Sequence, residues 1–274
     1  MDTEAPRRRV HWGRWLLRIV AVPLAVVALA ASAVLGLWPL TPSVDSAPTL
    51  VNDILNAHGA RRLSALPVPD HVGQAVIATE NSRFSSDFGV DAVSLFRTVA
   101  GRFTGSRDTG AATIEIQLAK NLYTPGRSNG VAKVEQVELA FKLDTRYTKD
   151  EILRMYLGCV YYGHGFYGLA DAARGYFATA PERLTWGQAS MLAGLVQAPS
   201  AYDPYLHLDL ARERQRHVID RLVATHVPVV RRRWGLLRVR YCSVCPGRAR
   251  YRRCPAMRWV KAAQGRWHGL AWPA

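Results

Sequence analysis

Three short segments of this chain carry side chains with chemistry in them. Glu80-Asn81-Ser82-Arg83-Phe84 sets a carboxylate close to a guanidinium. About thirty residues later, Thr113-Ile114-Glu115-Ile116-Gln117-Leu118-Ala119-Lys120-Asn121 gathers amides and an ammonium on one segment, and Lys149-Asp150-Glu151-Ile152-Leu153 follows. A carboxylate that stays ionised near a hydroxyl can take its proton. Cationic donors count most where a phosphate leaves, because charge develops there during the reaction. With an apolar N-terminal segment close by, these are the parts that an enzyme handling a lipid-linked sugar needs. Each alone is weak; Lys120, for instance, reads equally well as a solvated helix lysine.

The elements that must position these groups are mainly helical. Val51, Ile54 and Leu55 mark a short helix, and Val72, Ala75, Val76 and Ala78 mark another that leads into Glu80. Further helical spacing runs over 92–103, 113–122 and 131–147. The last of these carries Val134, Val137, Leu139, Phe141 and Leu143, and it stops before Thr148-x-x-Glu151, a capping box that starts a new helix at Lys149. Gly163, Gly165 and Gly168 mark a loop. Helical spacing resumes at 170–176 and 185–196, where Met191 to Val196 is apolar nearly all round and reads as a buried central helix. Asp209 is placed to cap a final helix, with Leu210, Val218, Ile219 and Leu222 on one side and Arg212, Arg214, Arg216 and Arg221 elsewhere.

Residues 19–40 contain no charged side chain, enough at about 1.5 Å per residue to cross a bilayer core of roughly 30 Å. Arg7, Arg8, Arg9, Arg14 and Arg18 precede the run, so the positive-inside rule predicts a cytoplasmic N-terminus (1–18), a single membrane helix (19–40) and everything later on the outer side. A cleaved signal peptide is the alternative, with Ala30-Ala31-Ser32-Ala33 as its cleavage region; against it, the apolar run continues to Trp38. A linker and lead-in helix at 41–66 and a catalytic domain at 67–227 complete the expected order.

The formal charge of +15 is misleading as a whole-chain number. Of the 36 Lys and Arg, twelve lie in 228–274, which has no acidic residue; the rest of the chain sets 24 against 21 acidic residues, a surplus of three. That balance argues against nucleic acid as a partner. The tail reads as a poorly ordered or foreign segment, or alternatively as a basic, aromatic stretch lying on anionic headgroups. Its Cys242-Ser243-Val244-Cys245 is half a zinc site without the other half, so no metal site is expected there. Cys159 is expected to be a small buried hydrophobe.

From about Pro67 to Leu222 the chain resembles the glycosyltransferase domain of peptidoglycan polymerases, the lysozyme-like family shared by monofunctional transglycosylases and class A penicillin-binding proteins. The family's Glu-Asp-x-x-Phe-x-x-His-x-Gly stands here as Glu80-Asn81-Ser82-Arg83-Phe84-Ser85-Ser86-Asp87-Phe88-Gly89. Its Gly-Gly-Ser-Thr-Ile-x-Gln-Gln stands as Gly110 to Gln117, followed by an intact Leu118-Ala119-Lys120-Asn121. Its Lys-x-x-Ile-Leu-x-x-Tyr-Leu-Asn runs from Lys149 to Gly158, and Gln197 to Pro204 and Arg214-x-x-x-Val218-Ile219 complete the series in order.

The resemblance implies a mainly α, lysozyme-like glycosyltransferase domain behind one N-terminal transmembrane helix. It implies lipid II and the growing glycan strand as substrates, and chain growth by inverting transfer with loss of undecaprenyl diphosphate. By position, Glu80 would be the general base, and Arg83, Phe84, Thr113, Gln117, Lys120, Asn121, Lys133 and Gln136 would bind substrate. No cofactor follows beyond a divalent cation, Mg or Mn, that the substrate diphosphate could bring. Other wall-synthesis proteins such as transpeptidases become candidate partners at the cell membrane, and the chain is expected to lack a penicillin-binding module.

This chain also departs from the pattern. Gln136 stands where the family's Arg-Lys-x-x-Glu motif has its second glutamate, and Glu135 beside it is turned by about 100° along a helix. Asn81, Asp87, Ala111, Ala112, Ile116, Ala132 and Gly158 replace other motif residues. A catalytically impaired lipid II-binding or scaffold protein is therefore the second expectation. A glycan hydrolase is the third, opposed by the intact Leu-Ala-Lys-Asn with its cation for a diphosphate.

Overall fold

The computed structural model describes residues 38–90 and 112–225, together with the isolated positions Ala21, Ala25, Ser32 and Gly36. Met1–Pro42 and Ser43–Ala274 are separate compact units. The expected membrane helix at 19–40 lies almost wholly outside the described residues, and the expected helix at 92–103 and the tail at 228–274 lie outside them altogether. No helix among the described residues is long and apolar enough to cross a membrane.

Among the described residues the second unit is built from eight α-helices: α1 (Ala47–Ala57), α2 (Asp70–Glu80), α3 (Ile114–Tyr123), α4 (Gly130–Arg146), α5 (Lys149–Cys159), α6 (Leu169–Phe177), α7 (Trp186–Leu195) and α8 (Leu208–Ala224). A 3-10 turn at Pro181–Arg183 precedes α7, and the only β pairing among these residues is an isolated antiparallel bridge between Tyr161 and Tyr167. This is the mainly α architecture that the spacing predicts.

Local chemistry explains half of the helix starts. Thr113, Asn129, Thr148 and Thr185 each accept a backbone N–H in the first turn of α3, α4, α5 and α7, and Thr148/Glu151 and Thr185/Gln188 form full capping boxes. Such caps satisfy donors that no earlier turn can reach, each stabilising by about 1 kcal/mol. α7 is the central helix, with Ala189 to Leu195 buried, and α2 and α8 pack along it. α3 packs on α4 and α5, and α1 lies against α5. One apolar core joins these helices, with Phe84, Ile114, Leu118, Leu139, Leu143, Ile152, Tyr156 and Leu192 among its fully covered members.

Two expectations need correction. Asp209 is not the cap of α8: the helix starts at Leu208 after His207, with no side-chain cap, and Asp209 sits in its first turn, where a negative charge suits the helix dipole. Leu210 is exposed, and the buried side of α8 is Ala211, Gln215, Val218, Ile219 and Leu222. In α4 the buried positions are Ala132, Gln136, Leu139, Ala140 and Leu143, together with Glu138 and Lys142, while Val134 faces solvent. Reading only the apolar letters missed that this helix buries polar side chains on its inner face.

Candidate active site

α2 ends at Glu80, and this end of the helix carries the site. Its carboxylate is divided between two neighbours. Gln117 on α3 donates its Nε2 to Glu80 Oε2 at 3.1 Å. The Tyr156 hydroxyl on α5, fully buried, donates to Gln117 Oε1 at 2.6 Å, which fixes the amide so that its N–H side faces the carboxylate. On the other side Arg214 of α8 brings a guanidinium nitrogen to 3.7 Å from Glu80 Oε1. That oxygen accepts no hydrogen bond among the described residues.

The Glu80 side chain is 10% exposed. Burial raises its pKa above the ordinary 4.5, an effect that the Gln117 hydrogen bond and the Arg214 charge oppose. A carboxylate with a raised pKa and one oxygen free of hydrogen bonds is a better proton acceptor than a solvated one, because a general base works best with a pKa near the working pH. Buried perturbed carboxylates in such settings mark functional sites.

α3 has two faces. Ile114, Glu115, Leu118, Ala119 and Leu122 are buried, whereas Gln117 and Asn121 are partly exposed and Lys120 is exposed. Three- and four-residue spacing puts Lys120 and Asn121 on the side of Gln117, Lys120 about 5 Å further along the axis. Lys120 therefore has an ammonium free of ion pairs among the described residues, one turn from the group that holds Glu80. Lys133 is exposed at the start of α4, across the 124–129 connection from Lys120. Neither lysine contacts Glu80. Arg83 lies partly buried in the turn after α2.

Other predicted site residues have different positions. Phe84 is a core residue beneath Lys149, and Thr113 is buried with its hydroxyl donating to the Gly89 carbonyl at 2.7 Å and capping α3. Packing buries both side chains, and capping engages the Thr113 hydroxyl. Gln136 is also buried: its Nε2 donates to Thr124 Oγ1 at 2.7 Å and to the Arg127 carbonyl at 3.5 Å. Its neighbour Glu135 pairs with Arg127 at 2.9 Å. Adjacent residues of one helix thus clamp the same connection, and the amide donor, which a carboxylate lacks, is used in doing so.

The departures in the first motif compensate one another. Asn81 Nδ2 donates to Asp87 Oδ2 at 2.7 Å, and Lys149 Nζ lies 2.8 Å from Asp87, 2.6 Å from Glu115 and 2.7 Å from Asp144. The ammonium also stands 4.8 Å over the Phe84 ring. One cation so ties the turn after Glu80 to α3, α4 and α5. At Gly158 a Cβ would run into Leu63 Cδ1, so a larger side chain there requires the Leu63 side chain to shift.

Sequence reasoning listed neither Tyr156 nor Arg214 among the site residues. A signal for Arg214 existed, since its four-residue spacing to the apolar Val218 puts it on the inner side of the helix.

Comparison with known proteins adds a family. The model described as Transglycosylase matches residues 49–223. Penicillin-binding protein 1A of Neisseria lactamica is 35% identical over 212 residues, 72% of this chain and 27% of that protein. The same protein of Neisseria gonorrhoeae is 34% identical over 222 residues, covering 76% and 28%. A protein of Cupriavidus necator named as a transglycosylase is 32% identical over 212 residues, covering 77% of this chain and 89% of its own length. The chain spans little more than a quarter of the penicillin-binding proteins it matches.

Proposed function

Because this chain belongs to the Transglycosylase family, we infer that its Glu80 site is that of a peptidoglycan glycosyltransferase, which polymerises lipid II at the outer side of the cell membrane. The observation that carries this reading is the Tyr156–Gln117–Glu80 chain: a buried carboxylate with one oxygen held and the other without a hydrogen bond among the described residues, at the end of a helix face bearing Lys120.

The reaction then runs as follows. The acceptor sugar's 4-hydroxyl oxygen attacks the donor's anomeric carbon from the face opposite the diphosphate. Glu80 Oε1 takes the hydroxyl proton, the new C–O bond forms, and the bond to the diphosphate oxygen breaks with inversion. Lys120 and Arg83, with Lys133 farther along, neutralise the departing undecaprenyl diphosphate, and Asn121 donates a hydrogen bond to it. A divalent cation on the diphosphate would share that task. Arg83, Gln117, Lys120, Asn121 and Lys133 are the binding set; Phe84, Thr113 and Gln136 support it from beneath. Residues 1–40 would anchor the protein with its N-terminus in the cytoplasm.

The second reading, an impaired lipid II-binding or scaffold protein, draws on one observation: Gln136 is uncharged and its amide donor is used within the fold. Polymerisation of labelled lipid II by the full chain in detergent, beside Glu80→Gln and Gln136→Glu, separates the two. Glycan strands from the parent that vanish in Glu80→Gln support the polymerase. No product from the parent, with synthesis recovered in Gln136→Glu, supports the second reading.

A further inference from the structure

The two oxygens of Glu80 have unequal surroundings. Oε2 is held by Gln117, whereas Oε1 is buried without a hydrogen bond among the described residues and faces a guanidinium nitrogen at 3.7 Å. The guanidinium is itself unusual: Arg214 is only 11% exposed, and its Nε is also buried without a hydrogen bond. Buried polar atoms without partners are rare, and each calls for a reason. Here two such atoms belong to opposite charges that face each other at a distance too long for a hydrogen bond and short enough for strong attraction in a poorly solvated place.

The arm that reaches this position depends on Gly194. On the central helix α7, a Cβ at Gly194 would stand 3.1 Å from Arg214 Cγ and 3.5 Å from Val218 Cγ2. The absent side chain leaves room for the aliphatic stem of Arg214 to lie against α7 and carry its charge inward to the end of α2. Arg221, farther along α8, is fixed separately by donating its Nε to the Ala78 carbonyl at 3.1 Å.

We propose that Arg214 is a positioning residue of the reaction, the fixed counter-charge that keeps Glu80 anionic while leaving Oε1 uncapped to receive the acceptor's proton. A direct hydrogen bond would occupy the lone pair that the reaction needs; a charge at 3.7 Å stabilises the anion without covering it. Among the described residues the other groups around Glu80 do not supply this charge. α3 presents the neutral Gln117, with Lys120 a turn away, and α5 presents Tyr156, which burial keeps protonated. α7 has no ionisable side chain between Trp186 and Leu195. On α8, His217 is pushed toward its neutral form by burial and by Arg214 and Arg221. His71 and Asp70 lie at the opposite end of α2.

The catalytic role rests on the function proposed above, whereas the counter-charge does not, so two readouts are used on the full chain in detergent. The first needs no turnover: the infrared carboxyl band of Glu80, isolated as the difference from Glu80→Gln, is followed against pH in the parent, Arg214→Lys and Arg214→Gln. An opposite charge this close lowers a carboxylate pKa by about 1–3 units. The midpoint should therefore rise by about one unit or more in Arg214→Gln, and by less in Arg214→Lys, whose shorter arm keeps a charge. If Arg214→Gln does not fold, the Arg214→Lys shift decides alone. The second readout is the acid limb of lipid II polymerisation, which should move upward in the same order. Coincident midpoints in all folded variants would overturn the proposal and leave Arg214 as a link between α8 and α2. Shifted midpoints without polymerisation by the parent would uphold the counter-charge and remove the polymerase reading.

Discussion

Replacing Lys149 with Met removes the cation shared by Asp87, Glu115 and Asp144. The four side chains are 25%, 5%, 0% and 15% exposed respectively, so water replaces little of what is lost. Breaking a buried ion pair from one side costs about 3–5 kcal/mol, and the contact with the Phe84 ring contributes about 0.5–1 kcal/mol more. Protonation of a carboxylate limits the damage, and Glu115, whose pKa burial already raises, is the first candidate. A loss near the lower bound, about 3 kcal/mol at pH 8, is therefore expected. For a domain of this size it corresponds to a fall in Tm of about 6–12 °C.

The pH dependence gives the sharper test. Without Lys149 the burial that raises the Glu115 pKa is no longer opposed by the ammonium, so its folded-state value lies further above the unfolded one. Such groups contribute stability below the unfolded pKa and lose it as the pH rises through the folded one. The gap between variant and parent should accordingly narrow as the pH falls toward the ordinary glutamate value of 4.5. Thermal unfolding of the full chain in detergent, followed by circular dichroism from pH 8 to pH 4.5, measures both. Adding Glu115→Gln to the variant should recover at least about 1 kcal/mol, although the same change alone destabilises the parent. A fall of less than about 3 °C at pH 8, or a gap that does not narrow in acid, would refute the idea that this cation holds the turn after Glu80 to its neighbours.

Three further outcomes follow. Glu80→Gln should reduce lipid II polymerisation by about 10²–10⁴-fold while raising Tm at pH 7, because burial disfavours the carboxylate; that thermal advantage should disappear as the pH falls below 4.5. Gln136→Glu removes the N–H donor to Thr124 Oγ1 and the Arg127 carbonyl, and urea unfolding should show a loss of about 1 kcal/mol. Gly168→Ala should cost about 2–4 kcal/mol, since φ is +76° and the added Cβ would meet the Gly158 carbonyl; Gly126→Ala, at φ +73° in open space, should cost only about 1 kcal/mol.

Much of this protein was legible in its letters because the relevant physics is local. Helix spacing marks α1 to α8, Thr148-x-x-Glu151 announces a cap, and Glu80, Gln117 and Lys120 stand in ordered motifs. Local rules failed where an inner face is polar. The caps gave the start of α5 correctly, yet Asp209 drew a cap that α8 lacks, since the helix already begins at Leu208 and takes Asp209 into its first turn.

What the motifs lost could be read, but the replacements could not. Asn81 and Asp87 look like separate erosions in the sequence; in space they bond to each other and, through Lys149, to Glu115 and Asp144, residues up to 63 positions from Asn81. Gln136 looks like a missing charge and serves as a clamp on the 124–129 connection. Spacing along one helix determines which residues share a face, so the sequence by itself determined the helices and the pairing of Gln117 with Lys120. Which oxygen of Glu80 is held, which is left without a hydrogen bond, and that an arginine more than 130 residues away faces the latter depend on how α2, α3, α5, α7 and α8 pack, a set of long-range distances that no local pattern encodes.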